Sequence, residues 1–282
     1  MQANTFSQIE KAKQLYDLHH TNRLLILPNV WNVLGGKLLQ DLGYKAIATA
    51  SASIAYSNGF KDGENIPFAQ VLSIVKGIAT SVNVPVTADI ENGYADDEKE
   101  LAQNIKQLIE TGIAGINIED TNKKGNRFVS AEEQCKRIKL IKNIAADMNV
   151  PLFINARTDC FIHAKNFSSP EEKLQETINR GLAYKEAGAD CFYPILMNNE
   201  KDIKAVVEQV AMPVNIIVMP GIPSLKMLHE IGVARVSLGP GFLKYAVQAM
   251  KNIALKLQQE EGIDDIINND ITNEYLQNLV AK

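Results

Sequence analysis

Thr111-Gly-Ile-Ala-Gly-Ile-Asn-Ile118 sets a glycine ahead of a short β-branched run, and the acidic pair Glu119-Asp120 follows. Just upstream, Ala102, Ile105, Leu108 and Ile109 recur at helical spacing and share one apolar face. The segment therefore reads as a helix, a glycine stop, a buried strand and a polar strand end. The same order returns in Asp41-Leu-Gly-Tyr-Lys-Ala-Ile47, Glu186-Ala-Gly-Ala-Asp-Cys-Phe192 and Glu230-Ile-Gly-Val-Ala-Arg-Val236. Glycine is the favoured residue just past a helix C-terminus. Asn83-Val-Pro85, Asn149-Val-Pro151 and Ala211-Met-Pro213 make the same joint with a proline that stops the helix.

Working outward, eight short apolar runs are expected as strands: Leu24–Val30, Ile47–Ser51, Val84–Ile90, Gly115–Asp120, Leu152–Asp159, Cys191–Met197, Val214–Pro220 and Arg235–Gly239. Several are continuously apolar, as parallel strands covered on both faces are. Eight βα units in about 250 residues match an α/β chain of the (β/α)8 barrel type. A doubly wound sheet is the alternative, but no GxGxxG opens the first helix. The expected layout is one domain over residues 1–282. It has an N-terminal helix within 1–22 (Phe6–His20), a barrel over 23–254 and a helical tail over 255–282. One helix before strand six is expected to bury Leu174, Ile178 and Leu182, with Tyr184–Lys185 at the edge of that face. The tail carries Leu257, Ile263, Ile266, Ile267, Ile271, Tyr275, Leu276 and Leu279 among acids. That is apolar enough to need a partner surface, either a second copy or its own barrel.

Composition narrows the function. The chain has 282 residues, 46% hydrophobic and 22% charged, with 29 Lys and Arg against 33 Asp and Glu. No basic cluster points to nucleic acid, and no apolar run of about 18 residues points to a membrane span. Three cysteines are too few for a disulfide framework and fit a reducing compartment. With no apolar signal core in the first ten residues, a cytoplasmic location is expected.

In such a barrel, chemistry sits where strands end and βα loops begin. Asp89 and Glu91 alternate at the end of strand three, so one side of the strand would carry both. Glu119 ends the neighbouring strand. Three carboxylates converging on a barrel mouth suggest a hard divalent cation, Mg2+ first and Mn2+ also possible. Solvated loop acids or helix caps are the plain alternative, and Asp120 is expected to be a loop or capping residue. Arg157, with Asn155 on the same strand parity, suits a bidentate carboxylate or phosphate, or a salt bridge to the nearby acids. Ser51 and the amides of Ala52 and Ser53 suit an anionic oxygen or close packing. The four histidines are read as surface residues and the cysteines as packing. Strand six lacks a Schiff-base lysine. The proline of Gly239-Pro-Gly241 lacks the N–H that a phosphate cradle needs.

Seven segments, in this order and at these strand ends, carry a resemblance: Pro28-Asn-Val-Trp31, Thr49–Ser53, Gly59-Phe-Lys-Asp-Gly63, Val86-Thr-Ala-Asp-Ile-Glu-Asn-Gly-Tyr94, Ile116-Asn-Ile-Glu-Asp120, Asn155-Ala-Arg-Thr-Asp159 and Val236-Ser-Leu-Gly-Pro240. Over roughly residues 5–255 the chain resembles the isocitrate lyase/phosphoenolpyruvate mutase superfamily, nearest its phosphonomutase-like and 2-methylisocitrate lyase-like members. The resemblance implies a Mg2+-dependent barrel that makes or breaks a bond at C3 of a pyruvate unit in an α-oxo or 2-hydroxy carboxylate. It implies Asp89, Glu91 and Glu119 at the metal, some through water, with Asp62 on the loop beside metal and substrate. It also implies Arg157 on the substrate, and Ser51 with Ala52 on the pyruvyl carboxylate. A homotetramer or homodimer contacting through the C-terminal helices is implied as well.

The chain departs from the lyases. Their Lys-Lys/Arg-Cys-Gly-His loop is here Thr121-Asn-Lys-Lys-Gly-Asn-Arg127, with neither Cys nor His. Their aromatic residue before the strand-two turn is Ile47. Lys123, Lys124 and Asn126 match the mutase gating loop only loosely. The proton donor is then sought among Asp62, Tyr56, Tyr94 and a metal-bound water. Carbon–carbon lyase or decarboxylase chemistry is the expected activity. C–P mutase or hydrolase chemistry and a barrel that binds oxo acids without turnover are the alternatives.

Overall fold

The computed structural model describes residues 7–281, so Phe6 and Lys282 of the expected terminal helices lie outside the described residues. The chain runs α1 (Gln8–His19), β1 (Leu25–Leu27), β2 (Asn29–Val30), α2 (Val33–Asp41), β3 (Ile47–Thr49), α3 (Ser51–Ser57), α4 (Phe68–Ser81), β4 (Val86–Asp89), α5 (Glu98–Glu110) and β5 (Gly115–Glu119). A hairpin of β6 (Thr121–Asn122) and β7 (Arg127–Phe128) leads to α6 (Ala131–Asp147), β8 (Phe153–Thr158), α7 (Pro170–Glu186), β9 (Cys191–Pro194), α8 (Glu200–Val210) and β10 (Asn215–Ile217). Then come α9 (Leu225–Ile231), β11 (Arg235–Ser237), α10 (Gly241–Leu257), α11 (Ile263–Ile267) and α12 (Asn273–Ala281).

Parallel pairing runs β2-β3-β4-β5-β8-β9 and β1-β11-β10. The Phe192–Val214 bridge joins β9 to β10, and Pro28 alone separates β1 from β2. The strands thus close into the expected (β/α)8 barrel. The hairpin lies outside the ring and fills the stretch expected only as a loop.

Local chemistry explains the joints. Gly112 has φ +90°, a left-handed conformation that stops α5 cheaply only without a Cβ. At Gly115 a Cβ would stand 2.7 Å from the Phe153 carbonyl oxygen and 2.9 Å from Leu15. Glycine there lets α1 pack beneath the strands. Helix starts carry matching signals. Ser7 and Glu10 form a reciprocal capping box, and Asp97, Ser130 and Ser169 each cap a helix with acids in its first turn.

Ile105, Leu108 and Ile109 are buried as expected. On α7 the expected face is rotated. Leu182 is 39% exposed, whereas Tyr184 is fully buried with Thr177, Ile178, Arg180 and Gly181. Gly181 is the cause: a Cβ there would meet Val210 at 2.7 Å, so the helix approaches α8 and β9 along that side.

His19 is a correction to the surface reading. It is 3% exposed, its ring centroid is 4.2 Å from that of Phe153, and Nδ1 donates to the Leu15 carbonyl at 2.7 Å. Burial, helped by the Arg235 charge, pushes the imidazole down to about 3. The unfolded chain binds that proton below about pH 6.5 while the folded chain does not. Stability should therefore fall as pH drops below about 6.5, by up to about 1.4 kcal/mol per pH unit. His19→Phe should flatten that slope in thermal melts between about pH 6.5 and 5. Parallel melting curves for variant and native chain would refute the assignment.

The last helices divide. α12 folds back on α2 of its own chain: Leu279 is buried, and Lys37 Nζ donates to the Val280 carbonyl at 3.1 Å. α10 buries none of its residues, leaving Tyr245 80% and Met250 69% exposed. No described helix is long and apolar enough to cross a membrane.

Candidate functional site

A cavity of about 220 Å³ opens at the C-terminal ends of the strands. It is below the roughly 300–1,000 Å³ of drug-sized sites, so it suits a molecule of a few heavy atoms. Ser51, Ala52, Tyr56, Asp62, Asp89 and Arg157 all line it. Ser51 opens α3, and both its N–H and its hydroxyl donate to Asp89 Oδ2, at 3.1 and 2.8 Å. Thr49 Oγ1 accepts the Asp89 N–H at 2.9 Å. The strand end therefore presents a fixed carboxylate. The Ser51 donors, expected to hold a ligand oxygen, are engaged with Asp89.

Glu91 does not follow Asp89 into the cavity. β4 ends at Asp89, so alternation stops there, and Glu91 turns into left-handed backbone at φ +51°. Its Oε1 accepts the Glu64 N–H at 2.9 Å and the Tyr94 hydroxyl at 3.2 Å. Glu64 Oε1 in turn accepts the Asn92 and Tyr94 N–H groups, at 3.0 and 2.8 Å. This reciprocal clamp fixes the loop that carries Asp62. Burial, with Asp62 and Asp89 adding to it, pushes Glu91 up to about 7. Burial and then the Asp89 charge raise Asp62.

Arg157 takes the salt-bridge alternative. Its Nη1 pairs with Glu119 Oε2 and its Nε with Asp159 Oδ1, both at 2.7 Å. Lys123, on the hairpin, pairs with the other oxygen of Glu119. Burial opposes the guanidinium charge, but Glu119 and Asp159 hold it well above its usual value. Asn155 lies within the barrel, fully buried, with Nδ2 donating to Asn117 Oδ1 at 2.8 Å. Asn117, not Asn155, reaches the cavity wall. Tyr56 is 54% exposed, at the rim.

Asp89, Glu91 and Glu119 thus do not converge. Among the described residues no three His, Cys, Asp or Glu side chains form a group able to cage a metal. The donor set still fits a hard cation of the Mg2+ kind, which is commonly held by one or two carboxylates and keeps several waters. Asp89 shares the cavity with Asp62 and raises the cost of ionising it, a repulsion a divalent cation would relieve.

Asp120 lies in the bend between β5 and β6, as the loop alternative had it, but it is a fully buried acid paired with Arg180 at 3.0 Å rather than a solvated or capping one. Sequence reasoning did not find that pairing, and it gave no role to Glu64 or to Asp159 and Tyr193 at their strand ends, although Tyr193 also lines the cavity. Asp159 carried a signal, since it alternates with Arg157 and Asn155. Tyr193 carried only its place at a strand end, and Glu64 carried no signal. The Leu238 and Gly239 N–H groups donate to Asn29 Oδ1, so they make no phosphate cradle.

A family model described as phosphoenolpyruvate phosphomutase matches residues 15–258. A Burkholderia cenocepacia crystal structure, provisionally assigned as a phosphonomutase, is 33% identical, with a TM-score of 0.82 and coverage of 90% of this chain and 100% of that one. The 2-methylisocitrate lyase of Halalkalibacterium halodurans is 26% identical over 275 residues, 92% of this chain and 87% of that protein. The fold also matches phosphonopyruvate hydrolase, crystallised with oxalate and Mg2+, at 21% identity, a TM-score of 0.84, and coverage of 98% and 95%.

Proposed function

The chain belongs to the phosphoenolpyruvate phosphomutase family, and from that premise we propose a divalent-cation-dependent lyase acting at C3 of a small α-oxo or 2-hydroxy carboxylate. The observation that carries this reading is one small cavity holding the carboxylates of Asp62 and Asp89 together with the Arg157 guanidinium. Asp89 would hold the cation, with Asp62 beside it and Glu91 and Glu119 reached only through water. The cation, when bound, supplies Lewis-acid polarisation of the substrate carbonyl. Arg157, braced by Glu119 and Asp159, binds a carboxylate through its guanidinium charge. In an α-oxo acid the electron pair of the C3–carboxylate bond moves to C3 as CO2 leaves, and Asp62 or Tyr56 delivers a proton there. In a 2-hydroxy acid Asp62 takes the hydroxyl proton as C2 becomes a carbonyl, the pair of the C2–C3 bond moves to C3, and Tyr56 protonates it. The phosphonopyruvate hydrolase complex with oxalate and Mg2+ supports this choice of cation and ligand class.

Calorimetric titration with oxalate, a mimic of the pyruvate enolate, tests the reading. Binding should require Mg2+, with Mn2+ as a substitute. Absence of binding with either metal would remove the enzyme reading. Where oxalate binds, oxaloacetate, alkylmalates, 2-methylisocitrate and phosphonopyruvate follow as substrates. Pyruvate or CO2 marks the lyase; phosphate release or phosphonate rearrangement marks C–P chemistry, which the Burkholderia relative favours. Tight binding with no product marks a binding module.

Self-association through α10 is part of the same proposal. Its Tyr245, Val247 and Met250 are exposed, with no cover among the described residues. An apolar groove of about 1010 Å³, lined by Trp31, Leu38, Leu39, Val218 and Leu238, lies beside its first turns. Tyr245→Glu with Met250→Glu should lower the molar mass in light scattering, since a charge buried in an apolar contact is costly. An unchanged mass excludes α10 from the contact.

A further inference from the structure

We infer that Asp120, with Arg180 and Tyr184, is a positioning residue that sets Arg157 and the Thr121–Phe128 hairpin as one unit. Its carboxylate is shared between two structures. Oδ1 accepts the Asp159 N–H at 2.8 Å, and Asp159 Oδ1 in turn holds Arg157 Nε at 2.7 Å. Oδ2 accepts the Tyr184 hydroxyl at 2.6 Å and Arg180 Nη1 at 3.0 Å. Arg180 Nη1 also donates to the Val129 carbonyl at 2.8 Å, and its guanidinium lies 4.0 Å over the Phe128 ring. The Val129 N–H donates to the Asp120 carbonyl at 2.8 Å, closing the base of the hairpin. From that hairpin Lys123 reaches Glu119, which holds the other side of Arg157. Arg157 is thus braced twice: through Asp159, and through Glu119 and the hairpin. Both routes converge on Asp120.

Stability alone is a weak reason for this cluster. A buried ion pair loses solvation on both partners, and apolar replacements of similar shape are often neutral or stabilising. What an apolar trio could not do is hold the Asp159 backbone from one oxygen and the hairpin base, through Arg180, from the other. The coupling gives the site a rule. Arg157 takes its ligand-ready rotamer only when the hairpin is seated, so the carboxylate contact and the Lys123 side of the site form together.

The proposal rests on the reading of Arg157 as the carboxylate-binding group, and its test separates the two. Oxalate affinity with Mg2+ and amide hydrogen exchange across residues 121–129 are measured for the native chain, Asp120→Asn, Tyr184→Phe and Val206→Ala. Val206 is a fully buried residue of α8 that makes none of the hydrogen bonds of the cluster, and its truncation should lower the melting temperature. Asp120→Asn should weaken oxalate about tenfold or more, the scale seen when an outer partner of a binding group is lost. It should also speed hairpin exchange, both at temperatures where the protein is fully folded. Tyr184→Phe should do both to a smaller extent, and serves alone if Asp120→Asn does not fold. Val206→Ala should do neither. Native affinity and native hairpin exchange in the cluster variants overturn the proposal, as does an equal change in Val206→Ala. If the native chain binds no oxalate, the reading of the site fails instead. Hairpin exchange then decides the coupling: faster in the cluster variants upholds it, unchanged overturns it.

Discussion

Arg157→Ala is expected to abolish detectable oxalate binding and to destabilise the protein by about 3–5 kcal/mol, the cost of stripping the partner from a buried ion pair. The two effects have separate causes. The Glu119 and Asp159 side chains are each 1% exposed, and Arg157 neutralises both. Without it, two carboxylates face one another in a dry site with only Lys123 left on Glu119. Burial already pushes Glu119 up to about 8, and Asp159 loses the Arg157 charge that holds it low, so in the folded variant both should lie above their values in the unfolded chain. Stability from a group raised in this way is lost as pH rises. The deficit relative to the native protein should therefore shrink as pH falls from about 7 to about 5. Thermal melts across that range check the sign, and a deficit that widens on acidification would contradict it. Arg157→Lys keeps the charge but loses the planar fork that spans Glu119 and Asp159. It should recover most of the stability and little of the affinity, so melting and calorimetry should part company between the two variants.

The same residues show how far the sequence carries. The helix-stop glycines and the eight β-branched runs specify the barrel because each βα unit is local: its helix stop and strand lie within about a dozen residues, at the fixed periods of helix and strand. Asp89, Arg157 and Asp159 were visible for the same reason, as polar residues at strand ends. Legibility stops where backbone leaves those periods. Glu91 lies two residues past Asp89, and alternation would place both on one side. The left-handed turn at Glu91 sends it to Glu64 instead. Tertiary pairing is equally silent. Asp120 and Arg180 are 60 residues apart, and nothing in either neighbourhood marks one as the partner of the other. Leu182 and Tyr184 show a subtler limit. Both fit an apolar stripe, and only the close approach at Gly181 determines which of them faces the core.

Asp89→Asn is expected to remove the Mg2+ dependence of oxalate binding while leaving the fold intact. The amide keeps an oxygen where Oδ2 accepts the Ser51 N–H and hydroxyl, so the first turn of α3 stays anchored. What disappears is the charge that attracts a cation, and with it one source of the repulsion that raises Asp62 and Glu91. Asp89→Ala loses the charge and the acceptor together. Leaving those Ser51 donors unpaired costs about 1–3 kcal/mol, so the alanine variant should melt lower than the asparagine variant. Their ligand behaviour should nevertheless be the same: no oxalate binding that responds to Mg2+, and no metal-dependent turnover of any oxo acid the native protein accepts. That pattern, equal loss of binding at unequal stability, separates a cation-holding carboxylate from a merely structural anchor for α3. A structural anchor predicts the reverse, with asparagine near native in both measurements and alanine impaired in both. Metal-dependent oxalate binding that survives in Asp89→Asn would move the cation away from Asp89. The carboxylate of Asp62, the other acid on the cavity wall, would then be the group to test.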